Sequence, residues 1–374
     1  MEKVRLGECA TFINGYAFKP IDWSRNGIPI IRIQNLTGSM KQLNYYNGKL
    51  DSKYIINNGD ILISWSASLG IFEWKKEKAY LNQHIFKVEF NKKNINKKYF
   101  VYLIKSKINE MKKNTHGSTM KHITKSDFDK IEIFLPNIQE QEKISNILDK
   151  VQEIIDLRKK QIEELDEIIK SQFVEMFGNK NNWNEVTLND TSIKITDGEH
   201  GTVPRVDNGK LYLMARNITT SNTIDLSEVT YIPEENYRKI YKRCNPEKDD
   251  LLLVCVGATV GKVALVPEME EFSIARSVAL IKPNKKVISS LFLLSLMNSH
   301  YMQSQIKNCV HAVAQAGLYT NMIKELKFKL PPIGLQNQFG DIVKQINKQK
   351  FIIEKSLKET EELQESLMNK YFGE

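Results

Sequence analysis

The chain has 374 residues, 41% hydrophobic and 26% charged, with a formal net charge of +9. That composition excludes wholesale disorder, and the length predicts two or three domains. No apolar run approaches the roughly 18 residues of a membrane span, no secretory signal opens the chain, and the four scattered cysteines (Cys9, Cys244, Cys255, Cys309) do not make a zinc site. A cytoplasmic protein with free thiols and no membrane contact is expected.

In chain order, residues 28–33, 60–65, 70–74 and 83–90 read as strands, and 97–113 as a helix with Tyr99, Tyr102, Ile104 and Ile108 on its apolar stripe. A long helix follows Pro136 and stops at Gly178. The pattern then begins again: strands over 211–215, 250–256, 260–266 and 274–282, a helix over 287–307, and a second long helix between Pro331-Pro332 and Gly373. Charge alternates with these blocks. Residues 1–138 carry net +11, 139–178 net −4, 179–333 net +3 and 334–374 net −1. The strongly basic first block points to a polyanion as partner.

Residues 131–178 and 326–373 align without a gap at an offset of 195, matching Leu135-Pro136 to Leu330-Pro331, Gln141 to Gln336 and Phe177-Gly178 to Phe372-Gly373. Weaker matches run upstream: Val4 with Val186, Asn35 with Asn217 and Asp60 with Asp250. The chain is a duplication rather than a solenoid. Its division is a first domain over 1–138, a helix over 139–178, a second domain over 179–333 and a helix over 334–374. The fold class is α+β, two repeated mixed domains separated by two long helices.

Both helices carry a seam at alternating four- and three-residue spacing. In the first it holds Ile144, Leu148, Val151, Ile155, Arg158, Ile162, Leu165, Ile169, Gln172 and Met176. In the second it holds Phe339, Val343, Ile346, Lys350, Ile353, Leu357, Thr360, Gln364, Leu367 and Tyr371. Neither seam can be buried alone, so antiparallel pairing of the two helices is expected.

Catalytic motifs are missing. The segment 257–262, Gly-Ala-Thr-Val-Gly-Lys, has too few residues between its glycines for a phosphate-binding loop and lacks the following hydroxyl. It reads as a turn between strands. No metal-ligand spacing appears, and His116 and His122 sit in a loop. What remains is a set of basic and amide side chains near strand ends, the groups that read base edges in a major groove. They are Asn14-Gly15, Arg32, Gln34, Asn35, Asn82, Gln83 and His84 in the first repeat, and His200, Arg205, Arg216, Asn217 and Arg276 in the second. Ser64, Ser66 and Ser68 suit phosphate or base contacts.

The segment 28–35 (Ile-Pro-Ile-Ile-Arg-Ile-Gln-Asn), the strand 59–64 (Gly-Asp-Ile-Leu-Ile-Ser), the turn 257–262 and the twice-used Leu-Pro-x-Ile-x-x-Gln start of a long helix together resemble the specificity subunits of type I restriction-modification systems. The resemblance covers nearly the whole chain and departs from the pattern where Asp249-Asp250 stands for Gly-Asp. It implies two target-recognition domains, each reading half of a split double-stranded DNA site. The helices would fix their spacing and dock methyltransferase subunits, two of them, with restriction/translocase subunits joining the complex. It implies no enzymatic activity in this chain: S-adenosylmethionine, ATP and Mg belong to the partner subunits. Two other readings fit the same residues: a specificity subunit whose partner fuses methylase and nuclease, and a coiled-coil adaptor that binds only protein.

Overall fold

The computed structural model describes residues 2–38, 43–66, 69–113, 125–178, 182–311 and 317–373; Ser68, His116 and His122 lie outside them. The chain packs as two compact units, Met1–Lys159 with Lys355–Glu374, and Lys160–Glu354. Each long helix thus contributes one half to each unit.

In the first unit, strand Glu2–Arg5 pairs antiparallel with Glu132–Leu135, placing Val4 opposite Ile133. The main sheet runs Thr11–Asn14, Ile85–Glu89, Ile61–Ser64, Gly70–Glu73, with every neighbour antiparallel. Alternate side chains of a strand face opposite sides. Ile61 and Ile63 accordingly join Phe12, Phe86 and Val88 in a core with Phe100, Leu103 and Ile104 of helix Lys97–Lys113. Leu62 and Ile85 face the other way, into a core with Ile31, Ala79 and Leu81. These last belong to a second sheet, ordered Asn44–Tyr46, Ile28–Ile31, Ala79–Leu81, Ile55–Ile56, in which Ile28–Ile31 runs parallel to Ala79–Leu81.

The second unit repeats the plan. Its main sheet runs Ser192–Asp197, Val278–Pro283, Leu251–Val254, Val263–Leu265, and Lys210–Leu213 runs parallel to Phe272–Ile274 in the other sheet. The turn into the central strand is also repeated. The Asn57 N–H donates to the Asp60 carboxylate as the Glu247 N–H donates to Asp250. Asp249 takes the left-handed backbone (φ +69°) that Gly59 takes in the first unit (φ +88°), so the Asp249-Asp250 departure keeps the turn without its glycine. The elements are not all shared. Where the first unit has the edge strand Ile55–Ile56, the second has helix Glu234–Arg243, with Tyr237 and Ile240 buried.

Three elements differ from the sequence reading. The strand expected over 83–90 begins at Ile85, and Ala79–Leu81 is a separate strand of the other sheet, with His84 in left-handed backbone (φ 72°) between them. The strand expected over 274–282 divides in the same way, into Phe272–Ile274 and Val278–Pro283. The helix expected over 287–307 is two, Ser290–Asn298 and His300–His311. Ser299 between them is extended, and its hydroxyl accepts the Met302 N–H to start the second.

The long helices are Ile138–Phe177 and Ile333–Phe372, 40 residues each. The repeated glutamine has one job in both. Gln141 donates to the Pro136 carbonyl and accepts the Asn96 N–H; Gln336 donates to the Pro331 carbonyl and accepts the Ser289 N–H. Both glutamines are buried, so each staples the start of its long helix to the helix of its own domain.

Pairing is antiparallel within each unit. In the first, Gln364 donates to Gln152, Lys159 meets Glu361 at 2.9 Å, and Phe372 enters the core beside Ile144 and Leu148. In the second, Lys350 meets Asp166 at 2.7 Å, and Phe173 and Phe177 pack on Phe339. The seam ends are therefore parts of domain cores: Leu367 packs with Ile144 and Leu148, and Ile169 with Phe339 and Val343. Val151, Ile155 and Ile346 are buried, while Ile162, Leu165, Ile353 and Leu357 are half-buried. Arg158 occupies a seam position of the first helix. Its guanidinium is half-buried and donates to the Ser356 carbonyl and the Thr360 hydroxyl, because the small side chain at 360 leaves room for it in the seam.

The turn aspartate Asp250 is almost wholly buried and meets Lys282 at 2.8 Å. Burial pushes its carboxyl up, and the Lys282 hydrogen bond opposes that. Lys282→Met should cost about 3–5 kcal/mol at pH 7, the usual result of stranding a buried charge. Without the lysine the folded-state pKa of Asp250 rises further above the unfolded value. Stability of the variant then falls as pH rises between the two and recovers toward acid. Urea unfolding at pH 5 and pH 8 checks this: the deficit should be the smaller one at pH 5.

Candidate nucleic-acid interface

The strand ends of the first unit bring most of the selected residues to one edge. The Tyr16 N–H donates to the Leu81 carbonyl, the Asn82 N–H to Ile31 and the Gln83 N–H to Tyr16. The Trp65 N–H donates to the His84 carbonyl, and the indole N–H of Trp65 reaches the Asn14 amide oxygen at 3.3 Å. The Trp65 and His84 rings lie 4.9 Å apart, edge to face. Gly15 is obligatory here, since a Cβ would lie 2.1 Å from the Asn82 carbonyl oxygen. Ser66 follows Trp65 and is half-buried. Arg32 and Gln34 lie on the helical turn Ile33–Leu36 and its cap, with Gln34 exposed.

The second unit builds the same edge from different side chains. The Glu199 N–H donates to Ile274, Ala275 to Leu213, and Arg276 to Glu199. Asp197, Glu199 and Arg276 thus take the places of Asn14, Tyr16 and Gln83, and Arg216 takes that of Gln34. Arg276 and Arg216 are exposed, Arg216 donating to the Thr230 hydroxyl at 2.6 Å. His200 is exposed and holds Asp197 at 2.6 Å. Arg205 lies over the Tyr212 ring, 4.4 Å from its centroid. Arg243, from the helix particular to this unit, donates to the Gly198 carbonyl. The Gly201 N–H, followed by the charges of Arg243 and Lys239, holds the Glu199 carboxyl below the usual carboxylate range.

Three selected amides are not presented to a ligand. Asn217 is buried: its oxygen accepts the Met214 N–H, and its nitrogen donates to the carbonyls of Asp225 and Glu228. Asn35 is its equivalent, also buried, accepting the Arg32 N–H. Both cap the turn after the strand. The Asn82 amide oxygen is sealed from solvent without a hydrogen-bond partner among the described residues, so a bidentate adenine contact is not offered there. Sequence reasoning passed over Trp23, Trp65 and Arg243. A tryptophan in a polar, basic loop was the available signal for the first.

Among the described residues no group of three or more His, Cys, Asp or Glu is placed to hold a metal, and no helix is long and apolar enough to cross a membrane.

A twice-built α+β domain with a variable strand-end edge, each copy joined to a long helix, defines a duplicated recognition protein. The domain family described as type I restriction modification DNA specificity domain matches the chain twice, over residues 1–167 and 181–365. The chain belongs to that family. It is 26% identical over 376 residues to the type I restriction enzyme EcoBI specificity subunit of Escherichia coli, covering 92% of this chain and 78% of that one. It is 23% identical over 405 residues to the MjaVIII specificity subunit of Methanocaldococcus jannaschii, covering 98% and 91%. Its fold is similar to that of the S subunit of a type I restriction-modification system from M. genitalium (TM-score 0.58, 18% identity, 100% of this chain and 96% of that one). It is also similar to that of a chain from a structure concerned with assembly and conformational transition of the type I R-M system (TM-score 0.60, 16% identity, 99% and 97%).

Proposed function

We infer that the chain is the sequence-reading subunit of a type I restriction-modification complex, each unit reading one half of a split double-stranded DNA site. The observation that carries this is one fold used twice with different side chains at equivalent edge positions: Gln34 against Arg216, Gln83 against Arg276 and Asn14 against Asp197. A conserved scaffold with exchanged polar tips is what two different half-sites require. The long helices space the units and carry the methyltransferase subunits, two by the duplication. Large exposed apolar side chains support that docking role, among them Leu157 and Leu363 in the first unit and Phe351 and Ile352 in the second. Restriction/translocase subunits join the same complex. Chemistry resides in the partners, which bind S-adenosylmethionine, ATP and Mg, and the chain alone neither methylates nor cuts.

Methylome sequencing of cells carrying the methyltransferase subunits, with and without this chain, tests the reading. A bipartite methylated motif should depend on the chain. Gln34→Ala should relax one position of one half-site and Arg216→Ala one position of the other, each at about 1–3 kcal/mol. Methylation that ignores the chain would refute the reading, and duplex binding that fails even with methyltransferase present would leave the protein-only adaptor.

A further inference from the structure

Arg32 is stacked on an indole. Its guanidinium carbon lies over the Trp23 ring, 4.3 Å from the centroid. No ion pair or side-chain hydrogen bond engages it among the described residues. Both members of the stack are anchored through their backbones. The Arg32 N–H donates to the buried Asn35 amide. Trp23 is held between Asp22, whose carboxylate accepts the Lys19 N–H, and Ser24, whose N–H donates to the Tyr45 carbonyl. Trp23 itself is 40% exposed. An indole that stays at the surface without entering the core, and instead holds one face of an unpaired guanidinium, leaves the in-plane N–H fork free and fixed in direction.

A fixed planar fork fits two acceptors side by side. In the major groove only guanine offers them, at O6 and N7, and a phosphate offers a similar pair. The repeat favours the base. A phosphate contact carries no sequence information, so both units would need their cation at the same place. The second unit has Met214 where the first has Arg32, and Arg205 where the first has Trp23; its own stack is Arg205 over Tyr212, built from non-equivalent positions. The fork has moved between repeats, as a specificity contact does.

We propose that Arg32 reads a guanine in the half-site recognised by the first unit and that Trp23 is the positioning residue that aims it. This rests on the DNA-reading function inferred above. The test uses the full chain with its methyltransferase subunits: methylomes of cells carrying the wild type, Arg32→Lys, Trp23→Ala or Trp23→Phe, with binding to duplexes substituted at the affected position. Arg32→Lys keeps the charge and loses the fork. It should lower discrimination for guanine at one position about 5- to 150-fold, leaving the other half-site unchanged. Trp23→Ala should relax the same position, and Trp23→Phe should restore most of the discrimination, which a merely structural role for the indole would not predict. An unchanged motif in Arg32→Lys overturns the proposal, and so does affinity that falls equally for all four bases, the mark of a phosphate contact. A wild-type chain with no dependent bipartite motif would instead refute the DNA-reading function itself.

Discussion

Residues 1–178, produced without the rest of the chain, should assemble as a two-fold dimer and redirect methylation to a palindrome. The first unit is completed by 355–373, and the repeat supplies a substitute. At the offset of 195, Met368, Tyr371 and Phe372 correspond to Phe173, Met176 and Phe177, so a second copy offers apolar groups at the same places beside Ile144 and Leu148. The Lys159–Glu361 pair becomes Lys159 with Asp166 of the other copy. The weak points are Gln172 in place of Leu367, and Leu165 in place of Thr360, which costs Arg158 one hydrogen bond of about 1–2 kcal/mol. Two copies of one reader related by a two-fold axis read an inverted repeat. Sedimentation should show a concentration-dependent dimer, and methylome sequencing should show the first half-site repeated about a centre, with the gap nearly kept. A monomer, or an unchanged asymmetric motif, is the contrary result.

Seven residues inserted at matching seam positions in both long helices should abolish recognition of the original spacing. The insertion keeps the seam in phase and lengthens each helix by about 10 Å, close to three base pairs at roughly 3.4 Å each. On the original site one unit then loses its register. Specific binding exceeds non-specific by about 4–10 kcal/mol, and forfeiting half of that is at least about thirtyfold. Any motif that survives should keep both half-sites and carry a longer gap. Methylation of the original spacing with normal efficiency would refute the ruler.

The long helices were legible because two independent signals coincide, the ungapped 195-residue offset and the four-three spacing. The offset also marked Gln141 and Gln336 as a pair, but their role as staples depends on the Asn96 and Ser289 N–H groups, more than 40 residues upstream of each. Spacing cannot reveal such a contact. Asn35 and Asn217 show the reverse difficulty. An amide after a strand looks the same whether it caps a turn or reads a base, and burial, which separates the two, is tertiary. Helix Glu234–Arg243 was passed over although acidic residues open it and basic ones close it, because only Tyr237, Ile240 and Tyr241 mark its apolar face. The Trp23–Arg32 stack needs a loop and a strand end nine residues apart to meet, and no local pattern announces that.

The exchange of helix halves between the units also orders the protein's manufacture. The second unit is one contiguous stretch, 160–354, whereas the first waits for its final segment. At about 5–20 residues per second, ribosomes deliver Lys355 roughly 10–40 s after Lys159. For that interval Ile144 and Leu148 lack the cover that Phe372 provides. Of the two units, the one translated first is therefore the later to be finished, and damage to residues 355–373 falls on the reader translated before the second unit.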